Sequence, residues 1–325
     1  MPSGTIGRRS GRAGRPLLGI LLILLMALCF ATLDTTVKHL GTHSQIPVVA
    51  LLWSRYAIQA AVMGLWLLAL QMRRGRSLFR VAHPRFQGLR GLLLLSTSVF
   101  GFLGVQALPV AEFTAVALLA PVVVTLISAL VLHERVSRGR WALVLGGFSG
   151  ALLILRPGSG LFGAAILLPL ALAFCNGTFQ VLTARLAALE HPLTTHFYTG
   201  LIGALLMTAV LWVSPVEIRP VLAAATPGQL AQLALVGLMG TVGHLLLILA
   251  LGLAPMALLM PFSYAQIAVA TVISSLVFHH FPDAWALGGM AVIAACGAGA
   301  VWLNQKEAAR RHTPSSVVAA DAVPE

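Results

Sequence analysis

Charge is what this sequence has least of. Only 9% of the 325 residues are Asp, Glu, Lys or Arg, 58% are apolar, and the mean hydropathy is +0.93. A soluble domain carries roughly 25% charged residues to cover its surface, so a soluble fold is excluded. Cysteine is scarce as well. Cys29, Cys175 and Cys296 lie far apart inside apolar stretches, with neither the even count of a disulfide framework nor the close pairing of a zinc site, and read as packing thiols. Catalytic signatures are missing too: there is no Gly-x-Ser-x-Gly elbow, no His-Glu-x-x-His pair and no Gly-x-x-x-x-Gly-Lys loop. No catalytic residue, metal ligand or cofactor is therefore assigned, and an enzyme is not expected. His279 and His280 with Asp283 are metal-ligating types, but two adjacent histidines on a regular helix do not both face one ion.

What the sequence does have is apolar runs, each near the ~20 residues that cross a bilayer. Ten qualify: 17–38, 46–71, 89–107, 109–132, 141–155, 162–184, 194–213, 229–252, 255–278 and 285–303. The expected fold class is an all-α integral membrane protein. The fifth run is short, and only Leu108 and Pro109 part the third from the fourth, so eight or nine crossings stay open. Basic residues argue for ten. With a cytoplasmic amino terminus, all 21 Lys and Arg except Lys38, Arg55, Arg156 and Arg219 fall on the cytoplasmic side, Arg90 among them, and both termini lie inside. The net charge of +12 thus reports topology and not a nucleic-acid partner, since the basic residues form no aromatic-interleaved patch. The first run is too long for a cleavable signal peptide and is closed by no small-x-small site. Leu28 stands before Cys29, where a lipoprotein needs a small residue. The tails, 1–15 and 304–325, are expected to be disordered.

The chain also repeats itself. Aligning 109–133 with 255–279 without a gap gives identical pairs at Pro109/Pro255, Ala111/Ala257, Val123/Val269, Thr125/Thr271, Ile127/Ile273, Ser128/Ser274, Leu130/Leu276, Val131/Val277 and His133/His279. A weaker match sets Ala27-Leu28-x-Phe30 against Ala171-Leu172-x-Phe174. The repeat spans five helices, and because five is odd the second copy lies upside down. Inverted repeats of this kind place a substrate site between the halves near the membrane midplane.

The residues carry a family resemblance as well. Ala107-Leu108-Pro109, Ala120-Pro121, Leu132-His133-Glu134-Arg135, Gly146-Gly147-x-x-Gly150 and Arg156-Pro157-Gly158 resemble the first EamA-type repeat of the drug/metabolite transporter superfamily. The second half is similar through Ala254-Pro255, Pro261-Phe262-Ser263-Tyr264 and the run from Phe278 to Trp285. The resemblance covers nearly the whole chain and implies ten helices in two inverted repeats, 16–157 and 161–303, and alternating-access transport of small metabolites; the high Ala, Leu, Gly and Arg usage, with no clear organelle-targeting peptide, fits a bacterial inner membrane. One departure is visible: His280 replaces the acidic residue usual after the ninth helix, while Glu134 keeps it in the first half.

Polar groups inside the runs nominate the site, because an ionisable side chain at membrane depth needs a partner or a wet cavity. Arg55, with Gln59 one turn along the same face, suits a carboxylate or phosphate; a structural ion pair with Asp34 or snorkelling to the surface are the alternatives. Asp34 shares a face with Lys38. Asn176 and Gln180 occupy the matching place in the sixth run, and line a cavity or bond a neighbouring helix. Tyr264 and Gln266 follow Pro261, and Pro121 interrupts the fourth run; a proline frees carbonyls or permits bending. Trp53 and Tyr264 stack on a planar ligand or anchor at the interface, and Glu112 at a helix start is not assigned to the site. Asp34 and His244, beside Gly237, Gly240 and Gly243, are proton-coupling candidates. The expected substrate-binding set is thus Arg55, Gln59, Asn176, Gln180, Tyr264 and Gln266, the partners are a small molecule and the lipid bilayer, and the state is monomer or homodimer. A lipid-handling membrane protein, flippase or enzyme, and a non-transporting membrane partner are the alternatives.

Overall fold

The computed structural model of the chain describes residues 16–75, 78–120, 123, 137–156, 163–187, 189–254, 259 and 262–312. Pro121, Glu134, Pro255, Pro261 and, of the aligned repeat, also 122, 124–133, 256–258 and 260 lie outside them. Regular structure among the described residues is helical: α1 (Pro16–His43), α2 (Val48–Arg74), α3 (Pro84–Ala107), α4 (Val110–Ala117), α5 (Arg138–Leu155), a 3-10 turn (Gly163–Ile166), α6 (Leu167–Ala187), α7 (Pro192–Val213), α8 (Ile218–Ala224), α9 (Pro227–Leu253), α10 (Ala265–Phe278) and α11 (Ala284–His312).

Six stretches are long and apolar enough to cross a membrane: Pro16–His43, Val48–Arg73, Pro84–Ala107, Gly163–Thr183, Pro192–Val213 and Pro227–Ala250. Three shorter apolar helices accompany them, Trp141–Ile154, Ala265–Phe278 and Ala284–Gly299. The protein is an all-helical, multi-pass membrane protein. Large apolar side chains such as Leu65, Leu145, Leu205 and Leu276 stand exposed on the outside of the bundle, the reverse of a soluble surface and as lipid requires.

Local chemistry sets the helix ends. Proline opens α3 and α7 at their first turns, where its missing N–H costs nothing. Thr226 and Gln229 close a reciprocal capping box at the start of α9. Gly75, at φ 64°, ends α2 in the left-handed conformation that glycine adopts freely. The third run begins earlier than expected, at Pro84, and this corrects the placement of Arg90 among the flanking basic residues: it lies inside α3 and is only 2% exposed. At the other end of the chain, α11 continues to His312, past 303.

Helices of the first half pack mainly on helices of the second. α1 packs on α9 as α6 packs on α3; α1 on α10 as α6 on α4; α9 on α2 as α3 on α7; and α2 with α7, and α5 with α11, pair with each other. This set maps onto itself when α1, α2, α3, α4 and α5 are exchanged with α6, α7, α9, α10 and α11. The α5–α11 crossing is close because Gly150 and Gly289 meet there: a Cβ on Gly150 would stand 2.9 Å from the Gly289 carbonyl oxygen. Small residues permit such contact where the hydrophobic effect no longer drives association.

Polar contacts join the halves at both ends of the bundle. At the end carrying the α1 amino terminus, Glu190 Oε1 accepts from the backbone N–H groups of Ala82 and His83, 2.9 Å each. There too Thr194 and Tyr198 donate to the carbonyls of Leu78 and Phe79. At the opposite end His280 Nε2 lies 3.8 Å from Glu112 Oε1, and Arg156 pairs with Asp283. A cavity of about 260 Å³ opens there, lined by Lys38, Pro109, Ser274, Phe278 and His280.

Candidate functional site between the halves

Arg55 sits two turns into α2, 4% exposed, where Gly240 of α9 leaves room for its side chain. Its Nη1 donates to Ser98 Oγ on α3, and its Nη2 faces His244 Nε2 on α9 at 3.2 Å. Ser98 Oγ is also 2.7 Å from Tyr56 Oη, which donates to the Leu94 carbonyl. The guanidinium carbon lies 4.8 Å from the Tyr56 ring centroid and 6.0 Å from that of Phe102, in the range of cation–π attraction. Nε is buried without a hydrogen-bond partner among the described residues. Asp34 of α1 attracts Arg55 electrostatically, but no ion pair within 4 Å joins them, so neither alternative, a close ion pair or snorkelling to the surface, describes the arginine's position.

An arginine only donates, so His244 Nε2 accepts from it and the imidazole is neutral while that contact holds. The ring packs edge-on to Phe30, centroids 4.9 Å apart, and lies 6.3 Å from both Phe179 and His196.

Gln59, one turn beyond Arg55, reaches a different helix. Its Nε2 donates to the His196 carbonyl at 3.1 Å and lies 3.4 Å from His196 Nδ1, while Oε1 is buried with no partner. His196 Nε2 faces the Thr241 carbonyl at 3.1 Å, which requires a hydrogen on Nε2 and leaves Nδ1 to accept. Below it, Arg90 Nε donates to Thr183 Oγ1 at 2.9 Å, and Nη1 to the Thr195 carbonyl and Thr199 Oγ1. Its guanidinium lies 4.7 Å from the Phe179 ring centroid.

Of the residues expected at the site, the structure gathers Arg55, Gln59 and His244 into one network, with Asp34 in electrostatic range. Asn176 and Gln180 lie half-buried on α6, on the turns that flank Phe179, and neither has a hydrogen-bond partner among the described residues. Gln266 is half-buried at the start of α10. Tyr264 is elsewhere: it belongs to an apolar cluster with Ile267, Met290 and Ile293 and its ring lies against Gly297 of α11. Lys38 turns away from Asp34 and donates to the carbonyls of Val105 and Leu108, where a cation suits the negative end of α3. Trp53 donates to Thr208. Sequence reasoning passed over Arg90, His196, Ser98 and Tyr56. Only His196 carried a usable signal, a histidine inside an apolar run. Asp283, weighed as a metal ligand, caps α11 through the Ala286 N–H at 2.8 Å.

A multi-pass helical bundle with a polar network buried between two interlocked halves is the architecture of a membrane transporter. The profile of the EamA-like transporter family matches residues 17–156 and again 163–304, and the chain belongs to that family, within the drug/metabolite transporter superfamily. It is similar to the S-adenosylmethionine uptake transporter of Rickettsia prowazekii, 23% identical over 90% of this chain and 96% of that one. Its identity to the riboflavin transporter of Rhizobium johnstonii is 26%, over 93% and 95% of the two chains. To the pseudopaline exporter CntI of Pseudomonas aeruginosa it is 27%, over 86% and 94%. A solved crystal structure of 23% identity shares the fold, with a TM-score of 0.60 over 90% of this chain and 97% of the other.

Proposed function

We propose that this transporter moves small organic metabolites by alternating access, rocking 16–157 against 161–303 about the network at Arg55. Ten membrane crossings as two inverted five-helix repeats, in a bacterial inner membrane with both termini cytoplasmic, complete the reading. The exchange-symmetric packing of the helices and the doubled family match support the repeat. The names of the relatives support a metabolite or vitamin as substrate. With no ATP-binding loop in the sequence, an ion or solute gradient supplies the driving force.

The observation that carries the site is Arg55: a guanidinium from the first half, buried against His244 of the second, with one N–H still unpartnered. A carboxylate or phosphate on the substrate would compete for these N–H groups. Gln59, Asn176, Gln180 and Gln266 offer further amides. A proton is the coupling ion in this reading, taken up at Asp34 or at His244 once Arg55 turns to the substrate. Counterflow uptake in proteoliposomes tests it, with labelled amino acids, riboflavin, nucleosides, S-adenosylmethionine, nucleoside monophosphates and dicarboxylates against empty vesicles. Accumulation of one compound is expected; folded, inserted protein that accumulates none of them contradicts the proposal.

A further inference from the structure

The buried charges around the network do not balance. Arg55 and Arg90 are 4% and 2% exposed. Asp34 attracts Arg55, whereas every partner of Arg90 is neutral: Thr183, the Thr195 carbonyl, Thr199 and the face of Phe179. The imidazoles between them contribute no negative charge. Glu112, the other buried carboxylate, is engaged at the far end of the bundle by His280 and faces Lys38. Among the described residues two fixed cations thus share one acid. An uncompensated guanidinium at membrane depth is costly and is retained where something else supplies the anion.

The two arginines also stand at different depths. Arg90 and Ser98, which holds Arg55, are both on α3 and eight residues apart in sequence, so about 12 Å along the helix axis. The antiparallel contacts of α6 on α3, Thr183 at Arg90 and Leu172 at Gly101, set Asn176 and Gln180 at the levels between them. Neither amide has a partner there among the described residues.

We infer that the transported compound carries net negative charge, as a phosphate monoester or a dicarboxylate does, and that Arg90 is a second anion contact below Arg55 on one path. The inference rests on the reading of this network as the translocation site. It excludes zwitterions and organic cations as the preferred cargo.

The test is a set of matched pairs offered to the full-length protein, as binding in detergent and as competition in counterflow. The pairs are riboflavin 5′-phosphate with riboflavin, adenosine 5′-monophosphate with adenosine, and succinate with succinamate. The expected result is a preference of about tenfold or more for the more anionic member of at least one pair. Arg90→Gln should reduce that preference to about threefold or less, and Arg90→Lys should restore part of it. Arg90→Lys also serves where Arg90→Gln does not fold, since it keeps the charge. No preference in any pair, or a preference that Arg90→Gln leaves intact in folded protein, overturns the inference. Transport of neutral members without charge preference sinks this inference and leaves the transporter reading standing. An Arg90-dependent anion preference in binding, with no counterflow of any compound, sinks the transporter reading instead.

Discussion

Arg55 and His244 face each other across the boundary between the halves, Nη2 to Nε2, 3.2 Å apart. The contact is possible only while the imidazole is neutral at Nε2, because both a protonated ring and a guanidinium are pure donors. In the proposed mechanism, substrate on Arg55 and a proton on His244 are therefore linked: either event would break the same contact, and each would favour the other.

That linkage predicts the pH behaviour of transport. His244→Gln keeps a polar group opposite Arg55 but holds no titrating proton, and Asp34→Asn removes the other candidate. The pH profile of substrate-driven exchange should flatten in at least one of the two variants. Both variants retaining the parent's profile would rule out proton coupling at these residues.

The loop before α11 gives a second pH dependence, in stability. The Ala286 N–H, and then the Arg156 guanidinium, hold the exposed Asp283 carboxyl below its ordinary range. A carboxylate whose folded pKa is depressed contributes stability above the unfolded value of about 3.9, and that contribution is lost as pH falls through the folded value. Asp283→Ala should lower the melting temperature by about 2 °C at pH 7. The gap should close as the pH approaches 3, and a gap independent of pH would show that the charge is irrelevant.

Tyr264 packs where a side chain at position 297 would go. Gly297→Ala should destabilise the protein by about 1–3 kcal/mol, as overpacking does. Adding Tyr264→Leu should recover most of it, read as thermal stability of the double variant. Equal stability of Gly297→Ala and the parent would mean that α10 and α11 are not packed as described.

Glu190 straps the loop between α2 and α3 to α7 through two backbone hydrogen bonds. Glu190→Ala should speed hydrogen exchange at the Ala82 and His83 amides by about tenfold or more while leaving the core of α7 protected. Unchanged exchange at those two amides would remove the strap.

Much of the fold was legible in the sequence because lipid demands long apolar helices and excludes most alternatives. The family and its occurrence twice in the chain could be read from short motifs and from identical pairs such as Pro109/Pro255. The buried polar network was legible only where a polar residue interrupted an apolar run, which exposed Arg55, Gln59 and His244. Arg90 was hidden because it stands six residues after Pro84 in a basic stretch, where charge reads as loop, and its burial comes from Thr183, Thr195 and Thr199 on other helices. Tyr264, three residues after a proline, looks functional in the sequence, and only the glycine opposite it on α11 reveals its apolar neighbours. Ser98 and Tyr56 gave no signal, since a serine and a tyrosine are ordinary in membrane helices until an arginine from elsewhere is brought to them.

The most direct measurement is the kinetics of Arg55 variants in counterflow with the compound that the parent protein accumulates. Arg55→Ala should raise KM by about tenfold or abolish uptake. Arg55→Lys should not restore it, because one ammonium cannot reproduce the two-pronged hold on Ser98 and His244. Arg55→Ala protein with the parent's KM and rate would contradict the central claim that this guanidinium receives the substrate.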